Sequence, residues 1–156
     1  MFNWLKKDFS INSPVQGSLI KLRDVNDSTF SEGLIGKGIG IYPSNGKVFS
    51  PISGEITMVF PTKHAIGLKR KDGLEILIHI GIDTVNLEGE GFTVHVNSGQ
   101  SIEKGEKLLD FDIEFLKSNN IDPTVIIVVT NWNDYELSVY DEIGSLSLED
   151  VIMDAK

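Results

Sequence analysis

The dipeptide Asp72-Gly73 lies between two apolar-rich runs, Ala65–Arg70 and Leu74–Ile80. Asp-Gly flanked in this way is among the strongest short-range signals for a β-hairpin. A chain that commits its centre to a tight antiparallel pair needs further strands to cover the apolar face, since an isolated hairpin is marginal in water. The rest of the sequence supplies them. Short β-branched runs at Ser18–Arg23, Gly38–Tyr42, Lys47–Ser50 and Gly54–Phe60 precede the hairpin, and Thr93–Val96, Lys107–Asp112, Val125–Thr130 and Tyr135–Tyr140 follow it. They are separated by turn chemistry such as Ser44-Asn45-Gly46, Asn97-Ser98-Gly99 and Lys104-Gly105. The one helical expectation is a short turn over Asp112–Ser118, ended by Asn119-Asn120.

An internal echo sharpens the architecture. Ser13-Pro14-Val15-Gln16-Gly17 and Ser50-Pro51-Ile52-Ser53-Gly54 share Ser-Pro-apolar-x-Gly, each reading as a Pro-x-x-Gly turn that feeds a strand. The expected fold is all-β, an antiparallel β-sandwich or flattened barrel of the barrel-sandwich type with few helical turns. At 156 residues the chain suits one domain. We assign 1–12 to an N-terminal tail and 13–156 to that domain; Met1–Phe9 reads as a frayed end, with a small amphipathic turn as the alternative.

The hairpin carries two histidines, His64 and His79. With Asp72-Gly73 as a two-residue loop, Ile66 faces His79 and His64 is its diagonal neighbour, about 7–8 Å away. A four-residue loop, Arg70 to Gly73, puts the two directly opposite, roughly 5 Å apart. Only an odd-length loop sends them to different faces, because side chains alternate with period two. Thr62, two residues before His64, is placed to orient that ring, and Gly81, two after His79, to leave room for an approaching partner.

Adjacent imidazoles admit three readings: a phosphoryl-accepting nucleophile with an assistant, a zinc site completed by Asp83, or two structural residues on a polar face. His95, in Phe92-Thr93-Val94-His95-Val96, reads as a surface or satisfied strand histidine. Charge and composition narrow the field. Fourteen basic against twenty-three acidic residues give a net charge of −9, which disfavours nucleic acid. There is no cysteine, hence no disulfide, thiolate metal site or cysteine nucleophile. The longest pure apolar run, Val125–Val129, is far short of a membrane span, so the chain is not expected to be integral to a membrane, and a cytoplasmic location is the default.

The run from Gly73 through His79-Ile80-Gly81-Ile82-Asp83-Thr84-Val85 closely resembles the active-site signature of the glucose-type IIA proteins of the bacterial phosphoenolpyruvate-dependent sugar phosphotransferase system. Phe30-Ser31-Glu32, Gly36-Lys37-Gly38, Ser50–Gly54, Pro61-Thr62-Lys63-His64-Ala65, Gly89–Phe92 and Thr130-Asn131 extend the resemblance over most of the chain. It implies that His79 carries a phosphoryl group received from the phosphocarrier HPr and passed to a cysteine of a sugar-specific IIB domain. His64 would assist, and Thr62 would support His64. The implied partner surface is apolar, formed by Phe30, Ile35, Phe60, Leu77 and Val85, with Asp27 and Asp83 as acidic members. The resemblance implies a transferase with no metal or organic cofactor; some members also bind regulated transporters or kinases. Two readings from other classes stand beside it. One is a β-sandwich zinc hydrolase using His64, His79 and Asp83. The other is a biotinyl- or lipoyl-type carrier, for which Leu109–Ile113 would have to form a lysine-bearing hairpin tip, although it contains no lysine.

Overall fold

The computed structural model describes residues 8–156, so the reading of Met1–Phe9 falls mostly outside the described residues. The strands, in chain order, are β1 (Ser10–Asn12), β2 (Gly17–Lys21), β3 (Lys37–Pro43), β4 (Lys47–Phe49), β5 (Gly54–Val59), β6 (Ala65–Arg70) and β7 (Glu75–Ile80). After them come β8 (Phe92–Val94), β9 (Ser101–Ile102), β10 (Lys107–Phe111), β11 (Val125–Val129), β12 (Leu137–Val139), β13 (Ser145–Leu146) and β14 (Val151–Ala155). Two short helices, α1 (Ser28–Ser31) and α2 (Ile113–Ser118), complete the pattern with a few 3₁₀ turns. The all-β, antiparallel expectation holds. The sheets stay open, though: one of eight strands in the order β13-β2-β3-β11-β7-β6-β5-β9, and two of three strands, β4-β10-β8 and β1-β14-β12. Of the two architectures expected, the sandwich is therefore found, and not a closed barrel.

The repeated Ser-Pro motif forms two equivalent turns. The Ser13 hydroxyl donates to the Val15 carbonyl at 2.7 Å, and the Ser50 hydroxyl to the Ile52 carbonyl at 2.7 Å. The turns also grip each other, Asn12 N–H donating to Pro51 O (3.1 Å) and Phe49 N–H to Pro14 O (2.8 Å). Gly17 and Gly54 then open β2 and β5, as the turn chemistry predicted. The N-terminal boundary needs correction. Ser10–Asn12 pairs with β14 and Ile11 is fully buried, so the fold begins before Ser13. A three-residue strand carries too little alternation to stand out from a tail, and its partner lies at the far end of the chain.

Strand β11 explains both the core and the site. Its five residues are all buried, because the eight-stranded sheet is covered on both faces at this point. Val125, Ile127 and Val129 face the main core, whereas Ile126 and Val128 face a second, smaller cluster with Val25 and Phe30. Ile20, Leu22, Ile35, Leu77 and Ile82 pack around that second cluster. The close fit requires Gly40, since a Cβ there would lie 2.6 Å from the Val25 side chain. The segment from Leu22 to Ile35 thus lies across the outer face of the sheet. His79, opposite Ile126 in the register, shares that face.

Candidate active site

The hairpin closes with an odd loop. Arg70 N–H donates to Leu74 O at 2.8 Å, leaving the three residues Lys71, Asp72 and Gly73 as the turn, and Ala65 pairs with His79. Neither even loop considered from the sequence is formed. Strict alternation from this register would carry His64 to the opposite face, yet the His64 and His79 rings meet, with centroids 4.9 Å apart and planes at 84°. His64 escapes the alternation of the pleat because it precedes β6. Pro61–His64 connect β5 to β6 through a turn in which Lys63 takes a left-handed conformation (φ 62°) and its N–H donates to Phe60 O at 2.7 Å. That turn, not the pleat, aims His64 at its partner.

Each ring has a distinct setting. His64 is buried, only 5% exposed, with Phe60 edge-on at 5.6 Å and the Thr62 hydroxyl 2.6 Å from Nδ1. Burial lowers its pKa, with the Thr62 backbone acting weakly in the opposite direction. His79 is half-buried against Phe30, centroids 5.0 Å apart. Its pKa is lowered to about 4, first by burial and then by the neighbouring His64; the charges of Asp27 and Asp83 and the Gly81 backbone oppose this. Both imidazoles are therefore neutral near pH 7. Nδ1 of His79 is buried with no hydrogen-bond partner of good geometry, so Nε2 is the nitrogen open to approach. A neutral, half-desolvated imidazole with one free nitrogen is a nucleophile of the kind phosphoryl transfer uses.

The residues predicted around the pair separate into walls and surface. Val85 is 48% exposed, while Ile35, Phe60 and Leu77 are half-buried, so all four remain accessible at this face. Asp83 is exposed and Asp27 half-buried, the latter accepting from Thr29 N–H as the N-cap of α1. Two assignments require correction. Phe30 is a buried wall of the second cluster, its ring tilted at 56° to that of His79, and offers little surface to a partner. Gly81 does not open space: it is buried, and a Cβ there would lie 2.4 Å from the Thr84 methyl, which fills the gap. Leu34 (73% exposed) and Met58 (51%) were missed. Met58 reaches this face through a bulge between Ile56 and Met58 that sets it opposite Gly67, a shift of parity that the pattern of residues does not reveal.

The competing readings fare differently. Among the described residues no group of three His, Cys, Asp or Glu side chains is arranged to hold a metal ion, so Asp83 does not complete a zinc site. Leu109–Phe111 lies within β10, the central strand of its sheet, and not at a hairpin tip where a carrier lysine would sit. The model of the EIIA 1 family of the phosphoenolpyruvate-dependent sugar phosphotransferase system matches residues 9–135. The chain belongs to this family. Its IIA relatives include the glucose-specific EIIA component of Staphylococcus aureus strain N315, 42% identical over 96% of this chain and 91% of that protein. A second is the beta-glucoside-specific EIIBCA component of Bacillus subtilis strain 168, 43% identical over 92% of this chain and 24% of that longer protein. The solved glucose permease IIA of Mycoplasma capricolum superposes with a TM-score of 0.82 at 34% identity, covering 95% of this chain and 96% of its own. As a glucose-type IIA, the chain is a phosphoryl carrier of a sugar phosphotransferase system. No helix among its described residues is long and apolar enough to cross a membrane.

Proposed function

We propose that His79 accepts the phosphoryl group from phospho-HPr and delivers it to a cysteine of a sugar-specific IIB domain, in the cytoplasm beside a membrane permease. The observation that carries this reading is the pair itself: two neutral rings in edge contact, with Nε2 of His79 free on an otherwise apolar face. In the first step the Nε2 lone pair attacks phosphorus, and the N–P bond of the donor breaks with its electron pair returning to the donor ring. In the second, the acceptor thiolate attacks phosphorus and the pair of the His79 N–P bond returns to Nε2. No covalent chemistry beyond these displacements is needed, so catalysis is alignment and charge stabilisation.

His64 supplies the second of these. We assign His64 the tautomer in which the Thr62 hydroxyl donates to Nδ1; the proton of the neutral ring then sits on Nε2, where it can donate to a phosphoryl oxygen. Leu34, Ile35, Phe60, Leu77 and Val85 give both partners a common apolar docking surface, and Asp27 and Asp83 favour basic side chains there. The test is labelling with ³²P-phospho-HPr. His79→Ala should abolish the label, whereas His64→Ala should still be labelled but pass the group on at least tenfold more slowly. A stable label on His79→Ala would overturn the assignment.

A further inference from the structure

We propose that Thr84 is a positioning residue for the histidine pair, holding the backbone that carries His79 through its hydroxyl and filling the space beneath it with its methyl. The inference rests on His79 as the phosphoryl acceptor, but its geometry stands apart from that role. Thr84 is fully buried and opens a 3₁₀ turn, Thr84–Leu87, whose preceding residue Asp83 is left-handed (φ 58°). Its hydroxyl donates to the carbonyl of Ile80. The same peptide unit is held at its other end, where Gly81 N–H donates to Thr124 O at 2.8 Å. The peptide before it is held too, Ile80 N–H donating to the carbonyl of His64 at 2.7 Å.

Both peptide planes that follow His79 are therefore pinned, one to the backbone of His64 and the other between Thr84 and Thr124. This sets the spacing of the two rings through the main chain, not through contact between the imidazoles alone. Gly81 is the hinge of the arrangement. It is left-handed (φ 78°), and the place of a Cβ is taken by the Thr84 methyl. The two residues are thus one device: glycine permits the turn, and threonine both packs it and fixes the carbonyl. Relaxing a reacting centre by even 1 Å costs on the order of a hundredfold in rate, so a buried hydroxyl far from the phosphoryl group can still govern transfer.

The two parts of the side chain can be separated. Thr84→Val keeps the shape and removes the donor; Thr84→Ser keeps the donor and removes the methyl. Thr84→Val should slow phosphoryl acceptance from phospho-HPr by ten- to a hundredfold per folded molecule. It should also move the ¹⁵N–¹H imidazole signals and the titration midpoint of His79, while Thr84→Ser stays within about threefold on rate with His79 signals near those of the unaltered protein. If Thr84→Val fails to fold, Thr84→Ala against Thr84→Ser makes the same comparison. Equal behaviour of the hydroxyl-bearing and hydroxyl-lacking variants, or a loss of thermal stability with rate and His79 signals unchanged, would overturn the proposal. The imidazole signals need no phosphoryl transfer, so a failure of the positioning role is distinguishable from a failure of the acceptor assignment, which His79→Ala tests alone.

Discussion

The two ends of one hairpin meet opposite fates. At the turn end, the buried guanidinium and the backbone groups beside it have partners. The Arg70 guanidinium grips Asp72 through Nε (2.8 Å) and Nη2 (2.9 Å), and donates as well to the carbonyls of Phe9 and Ala155. Asn131 spans the strand opening, donating to Gly73 O and accepting from Glu75 N–H, each at 2.9 Å. At the open end, some six residues along the same two strands, the buried Nδ1 of His79 has the Gly81 backbone near it but no hydrogen bond of good geometry, and burial lowers the pKa of both rings. Buried polar groups are ordinarily satisfied. The end where that rule is broken is the end where chemistry is expected, and the satisfied end acts as its rigid anchor.

The comparison breaks most visibly at Arg70. Arg70→Met removes a buried cation that ties the hairpin turn to β14 and to the residue before β1, stranding the Ala155 carbonyl and the Asp72 carboxylate, while Phe9 O keeps the Ala155 N–H. We expect a loss of about 3 kcal/mol in urea unfolding, with phosphoryl transfer per folded molecule unchanged. A large fall in transfer without a fall in stability would mean that the two ends are not separate in function.

Acid should act at the other end. His79 has a folded pKa of about 4 against an ordinary 6.5, lowered mainly by burial, so between these values the unfolded chain binds the proton and the folded one does not. Stability is complete above pH 6.5 and declines as pH falls toward 4. The decline should be about 3 kcal/mol, and His79→Asn should remove most of it in thermal unfolding followed against pH. Phosphoryl acceptance should stay flat from pH 8 to 6, since His79, the accepting ring, gains no proton there.

These two ends were unequally legible in the sequence. The turn was announced by Asp72-Gly73, and all ten strands expected were formed, because alternation and turn residues act locally. The strands that escaped notice, β1, β9, β13 and β14, are mostly two or three residues long and depend on distant partners. The site was legible through its motif and only half through its geometry. The histidines were expected on one face by an even loop; an odd loop formed, and the left-handed turn at Lys63 restored the contact. Such compensation between a register and a neighbouring turn cannot be read from periodicity. Nor could the buried states of Phe30 and Gly81, which depend on the segment folded over the sheet and on the Thr84 methyl.

Thr62 tests how far the open end tolerates the loss of one more partner. Thr62→Val removes the hydroxyl held 2.6 Å from Nδ1 of His64 but leaves the turn and its volume intact. A lost hydrogen bond of this kind is worth about 1 kcal/mol. Onward transfer to the IIB cysteine should therefore slow roughly five- to tenfold in rapid-quench measurements, with labelling of His79 by phospho-HPr little altered. Equal slowing of both steps would mean that the hydroxyl shapes the docking face and not the assisting ring.

His95 is the smallest test and the control for the others. It too meets a polar partner, Asp110 at 2.6 Å from Nε2, with Lys107 on the other carboxylate oxygen at 2.9 Å, but the pair stands in solvent, its side chains 40% and 37% exposed. Water screens such a pair and hydrates either member alone, so exposed ion pairs contribute little. His95→Ala should change unfolding free energy by no more than about 0.5 kcal/mol and leave both transfer steps at the unaltered rate. The same imidazole stands in solvent on the outside of β8–β10 and is desolvated against Phe30 and His64, where we propose that it accepts the phosphoryl group. A transfer defect in His95→Ala would show that partner docking extends across this face and would break the confinement of function to one end of the hairpin.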